Sequence, residues 1–107
     1  MSAKTQVKSS SDPLNKGFIQ VVEKFASENW KLVENTRTRL TFINPNNIYD
    51  EFKMSVNENK VEVVIPMPNS PVAYCTKFNN YFEASEYILS RFTDFLAAVA
   101  EEDSKLS

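Results

Sequence analysis

FKMSVNENKVEVVI, residues Phe52–Ile65, alternates apolar with polar side chains on both sides of a polar turn, Asn57-Glu58-Asn59-Lys60. A strand presents successive residues to opposite faces, so each half of the stretch is apolar on one side. Folding the halves about Glu58-Asn59 sets Val56 against Val61, Met54 against Val63 and Phe52 against Ile65, all on one face. A slip of one residue would turn one strand's apolar set to water, so burial of that face fixes the register. The stretch is read as an antiparallel hairpin with one buried face.

The same period of two continues upstream in WKLVE (Trp30–Glu34) and RLTF (Arg39–Phe42), separated by the turn sequences ENTR and NPNN. Pairing Leu32 with Leu40 places Trp30 across from Phe42. The expected inner face is then Trp30, Leu32, Leu40, Phe42, Phe52, Met54, Val56, Val61, Val63 and Ile65. The expected outer face is Lys31, Val33, Arg39, Thr41, Ile43, Lys53, Ser55, Glu62 and Val64.

Helical spacing brackets these strands. Asp12-Pro13 reads as an N-cap followed by proline at the first helical position. Leu14, Phe18, Val21, Val22 and Phe25 follow on one stripe, giving a helix over 13–28. Asn29 suits the left-handed residue that ends a helix, with Trp30 as its hydrophobic contact. A second helix is expected from Asn80 to about Glu101, with Glu83 three residues after the cap. Its stripe is Tyr81, Ala84, Ile88, Phe92, Phe95, Leu96 and Val99, with Glu83, Tyr87, Arg91 and Asp94 turned away.

The expected fold is an α+β two-layer sandwich, in the order α-β-β-β-β-(β)-α. A four-stranded antiparallel meander, five-stranded if VAYCTKF (Val72–Phe78) adds a strand, packs one face on both helices. Residues 12–101 form one α+β domain, with a flexible tail over 1–11 and a flexible acidic tail over 102–107.

Composition narrows the chemistry. The 107 residues carry a net charge of −2 and are 42% hydrophobic, enough for one core and without a strong field. The chain has no His, which excludes a Ser–His–Asp triad and a His-bearing zinc site within it. It has a single Gly, too few for a glycine-rich phosphate loop. Asp50, Glu51 and Glu34 lie beside turns and read as solvating charges rather than an acid–base pair. The expectation is a protein that is not an enzyme and holds no cofactor or metal. MSAKTQVKSSSDP lacks the apolar core of a signal peptide, no segment has the length of a membrane span, and a lone Cys fits a reducing compartment. An intracellular location, cytoplasmic or nuclear, with no membrane partner is expected.

VEVVIPMPNSPVAYCTKF, residues Val61–Phe78, carries three prolines and the lone Cys75. Pro66 ends a strand because it has no N–H for the ladder, and Pro68 and Pro71 keep the chain turning. The segment reads as a rigid corner between sheet and helix. Cys75, with no His to activate it, reads as a small buried hydrophobe that labels slowly in the native state.

Two surfaces remain as candidate partner sites. Val33, Ile43 and Val64, beside Arg39, put aliphatic side chains on the outer sheet face. Tyr74, Phe82 and Tyr87 cluster around the proline corner. The expected function is a non-catalytic protein–protein interaction module or small subunit of a complex, its partner another protein or a second copy of the chain. The alternative is a nucleic-acid-binding accessory protein, using Lys31, Arg37, Arg39 and Lys53 as a basic stripe on the outer face.

The order helix, antiparallel meander, proline-marked strand end, helix resembles in outline the protein-docking modules of the RWD type. IPMPNSP (Ile65–Pro71) sits where those modules carry a proline-marked turn, without the Tyr-Pro that usually opens it. The resemblance implies a docking role and transfers no site residues.

Overall fold

The computed structural model describes residues 13–67 and 72–106, with side chains through Glu101. The expected tail over 1–11, the cap Asp12, and the corner residues Pro68 and Pro71 lie outside the described residues.

The first helix is interrupted. A 3-10 turn spans Leu14–Gly17, and α1 begins only at Ile19 and runs to Ser27. Pro13 is extended (φ −59°, ψ 152°) and precedes the turn instead of opening a helix. The cause is tertiary. The Leu14 N–H donates to the Thr36 carbonyl at 2.7 Å, and the Asn15 N–H donates to Asn35 Oδ1 at 3.3 Å. These bonds hold the entry segment against the loop after the first strand. The break at Phe18 (φ −129°, ψ 43°) turns its ring inward, edge-on to Tyr81 at 5.3 Å. Gly17, the only glycine in the chain, permits that approach, since a Cβ there would stand 3.2 Å from the Tyr81 ring.

The end of α1 follows the sequence reading. Asn29 takes φ 64°. The Trp30 N–H reaches the Phe25 carbonyl at 3.0 Å and the Asn29 N–H reaches the Ala26 carbonyl at 3.0 Å. This is the two-bond Schellman closure, and Trp30 makes its hydrophobic contact on Phe25.

The strands are β1 (Lys31–Asn35), β2 (Arg39–Asn44), β3 (Asn47–Asn57), β4 (Lys60–Pro66) and β5 (Ala73–Phe78). They form one open antiparallel meander in the order β1-β2-β3-β4-β5, so the fifth strand is present. Between β3 and β4, Val56 pairs with Val61 and Met54 with Val63, as the apolar register requires. The turn residues Glu58 and Asn59 both have positive φ, 52° and 66°, which suits the right-handed twist of a two-residue hairpin.

The first hairpin differs from expectation. Leu32 pairs with Phe42, not Leu40, and a bulge falls between Leu32 and Glu34. Trp30 is committed to closing α1, so it lies just before β1 and cannot stand in the ladder opposite Phe42. The Thr36 N–H donates to the Arg39 carbonyl at 2.9 Å, and that turn sets Asn35 against Leu40; the extra residue at Val33 then returns Leu32 to the inner face opposite Phe42. β3 also starts earlier than read, at Asn47, because the Asn44–Asn47 turn returns the chain directly into pairing.

The second helix, α2, runs Tyr81–Leu106 and so continues past Glu101 through most of the segment read as a tail. The Glu83 N–H donates to Asn80 Oδ1 at 2.8 Å, confirming the cap. Its stripe Ala84, Ile88, Phe92 and Phe95 is buried, with Tyr81, Leu96 and Val99 half-buried beside it.

Both helices cover the inner sheet face. Phe25 of α1 stacks on Phe42 of β2 (4.4 Å between centroids) and on Phe92 of α2 (3.8 Å). Trp30, Phe52 and Phe95 meet the same group edge-on. This six-ring cluster joins both helices to the sheet. Among the ion pairs, Lys24–Glu28, Arg39–Glu34, Lys53–Glu51 and Arg91–Asp94 are all at least one-third exposed. Exposed pairs contribute about 0–1 kcal/mol each, whereas a buried Phe contributes about 1.5–3 kcal/mol, so the rings hold the layers together. Of the expected inner face only Leu32 is exposed, at 41% on the β1 edge, and Val56 is half-buried. No described helix is long and apolar enough to cross a membrane.

Candidate functional site

No described helix covers the outer sheet face, and its rows follow from the register. One row runs Lys31–Ile43–Glu51, the next Glu34–Thr41–Lys53–Val64–Cys75, and the third Arg39–Ser55–Glu62–Lys77. Ile43 and Val64 are both half-buried and lie on strands separated by β3. The Lys53–Glu51 pair, at 3.3 Å, belongs to that intervening strand. Val33, half exposed, stands at the β1 bulge. The structure therefore does not bring the three aliphatics together into one patch.

The basic stripe is likewise interrupted. Arg39 lies 3.5 Å from Glu34, which also accepts a hydrogen bond from Thr41 Oγ1 at 3.2 Å, and Lys53 is engaged with Glu51. Tyr49, on β3, is the most exposed large hydrophobic side chain described. The carboxylates do not share a cleft. Asp50 and Glu51 point to opposite faces by alternation, and Asp50 accepts from Asn44 Nδ2 at 3.2 Å.

Cys75 overturns its sequence reading. It is exposed, on the outer face of the edge strand β5, opposite Val64. VAYCTKF is apolar on both of its alternating sides, with Val72, Tyr74 and Phe78 on one and Ala73 and Cys75 on the other. Pairing with β4 sends Tyr74 and Phe78 to the helix side and Cys75 to solvent. Desolvation by the surrounding protein raises the thiol pKa above its ordinary value. A hydrogen bond to the Glu62 carboxylate and its charge add to the rise, and Lys77 opposes it. Cys75 is thus reachable but a poor nucleophile. A disulfide reagent should label it in the native protein, at a rate that climbs about tenfold per pH unit through and beyond pH 8.5. Glu62→Gln should speed labelling at fixed pH and Lys77→Ala should slow it. A native rate that stays flat with pH, or one seen only after unfolding, would contradict this arrangement.

The proline corner divides its three candidates. Tyr74, on the inner side of β5, and Tyr87, on one flank of α2, line the same cleft of about 320 Å³ between α2 and the ends of β4 and β5. Its other walls are Ile65, Pro66, Met67, Phe95 and Ala98, with Arg91 and Asp94 at the rim. The Arg91 guanidinium lies 5.3 Å from the Tyr87 ring centroid and 3.7 Å from Asp94 Oδ2. Tyr87 is further held by Phe78, at 5.0 Å, and by Thr76 Oγ1, 3.4 Å from its hydroxyl. Phe82, exposed at 69%, does not line the cleft, because helical rotation carries it to the opposite flank of α2 from Tyr87.

Arg91, Asp94 and Met67 belong to this site and were absent from the sequence candidates. Tyr87, Arg91, Asp94 and Ala98 recur every three to four residues, a second stripe beside the core stripe of α2. That spacing was visible in the sequence, but only the edge strand beneath it turns the stripe into a wall. Among the described residues no three His, Cys, Asp or Glu side chains form a group able to hold a metal ion. No family model, curated protein or solved structure matches the chain.

Proposed function

We propose that this chain is a non-catalytic protein-interaction module that receives a partner's side chain in the cleft between α2 and the β4–β5 end of the sheet. The observation that carries this reading is the convergence of Tyr74 and Tyr87 on an apolar hollow with Arg91, paired at 3.7 Å with Asp94, at its rim. Interfaces draw most of their energy from a few aromatic, aliphatic and Arg side chains set in pockets that exclude water. The cleft suits an aliphatic or aromatic anchor with a carboxylate close by in sequence. The anchor would fill the space over Ile65 and Phe95, and the carboxylate would meet Arg91.

The test is affinity capture from the source cells with four chains, each checked for folding by circular dichroism. Arg91→Glu and Tyr74→Ala should reduce the captured partner at least about tenfold, the scale of a single interface anchor. Phe82→Ala and the double variant Ile43→Lys with Val64→Lys should retain it. Loss confined to the outer-face double variant would move the site to that face. Capture that is removed by nuclease and falls steeply with salt would instead support nucleic-acid binding.

A further inference from the structure

The open sheet leaves two edges, and they are built differently. β1 is five residues long, its register is broken at Val33, and it carries Lys31 and Glu34. Bulges and charges are the devices that keep an edge from pairing with another chain. β5 has six residues in unbroken register, from Val61–Phe78 to Pro66–Ala73. It bears one charge, Lys77, and its Tyr74, Thr76 and Phe78 favour strand structure. None of its side chains is buried.

We propose that β5 pairs with β5 of a second copy of this chain, antiparallel and centred on Thr76, extending the sheet across a two-fold axis. The strand is self-complementary in that register. Tyr74 stands opposite Phe78 of the second copy, and the reverse, giving two aromatic cross-strand pairs on the helix-covered face. Thr76 meets Thr76 at the axis, where hydroxyl pairs are favourable. On the outer face Lys77 stands opposite Cys75 of the second copy, so no like charges are opposed. Because Tyr74 lines the cleft, Phe78 of the second copy would stand beside that wall, and each cleft would be completed by its neighbour.

Six residues per copy are far fewer than the roughly 20–30 per side of a stable interface, so the association is weak and depends on concentration. Sedimentation equilibrium tests it on the full chain under reducing conditions. The wild type should move from the 12.3 kDa chain mass toward twice that value as concentration rises. Cys75 and Lys77 are exposed, so substitutions at Cys75 leave the core intact. In the Thr76-centred register, Cys75→Lys opposes two lysine pairs and should weaken the dimer by about tenfold, whereas Cys75→Glu creates two Glu–Lys pairs and should tighten it. A register centred on Cys75 would bring like charges together in both variants, so weakening by both would overturn the proposal. A monomer mass at every concentration would overturn it as well. The measurement uses only this chain, so its failure leaves the capture result untouched, and Arg91→Glu should lose partner capture while still dimerising.

Discussion

Phe25→Ala should lower the unfolding free energy by about 3–5 kcal/mol, the range for removing a fully buried aromatic ring. Phe25 has no exposed surface and lies between Phe42 and Phe92, nearly parallel to both, with interplanar angles of 15° and 10°. Trp30 and Phe52 close its other sides at 5.5 and 5.2 Å. Alanine would remove a ring that touches the sheet, α2 and the end of α1 together, and neighbours locked in the same stack cannot readily collapse into the space. A small domain has about 5–15 kcal/mol in all, so the loss is a large fraction of its stability. Phe82→Ala, on the exposed flank of α2, should change stability by less than about 0.5 kcal/mol. Urea unfolding followed by Trp30 emission measures both. Similar midpoints for the two variants would mean that the ring cluster does not hold the layers together.

Val63→Glu should abolish cooperative folding at neutral pH, while Val64→Glu, one residue on, should cost no more than about 1 kcal/mol. Val63 is wholly buried under the helices, opposite Met54. A carboxylate there forfeits the burial of valine, about 1.5–3 kcal/mol, and adds the several kcal/mol of an unpaired buried charge. Val64 is half-buried on the face away from the helices, opposite Lys53 on one side and Cys75 on the other. A glutamate there loses part of an aliphatic contact and gains a cation across the strand. The identical substitution on consecutive residues isolates which face is covered from any effect of strand propensity. Near-ultraviolet circular dichroism and thermal melting read the outcome, and equal damage from both variants would contradict the one-sided sheet.

At the β3–β4 hairpin and along α2, one apolar side and one polar side were sufficient. The β3–β4 register, the α2 stripe with its Asn80 cap, and the closure of α1 at Asn29-Trp30 all follow from local periodicity and end residues. The α+β order and the single helix-covered face follow from them, because a one-residue slip would have exposed a whole row of side chains. Tertiary contacts decided the rest. Hydrogen bonds to Thr36 and Asn35 split the first helix, although its apolar spacing is unbroken. The turn closed by Thr36 and Arg39 set the β1–β2 register, and the bulge at Val33 returned Leu32 to the inner face. Cys75 faces solvent because a segment apolar on both sides has no parity of its own and takes it from β4. The cleft exists only where α2 passes over the ends of β4 and β5, so it joins Tyr74 of β5 to Tyr87 and Arg91 of α2 and leaves Phe82, nearer in sequence to Tyr87 than Tyr74 is, on the other flank. Periodicity is a property of consecutive residues and can be read from them. A concavity is a property of how separate elements cross, and no stretch of this chain contains it alone.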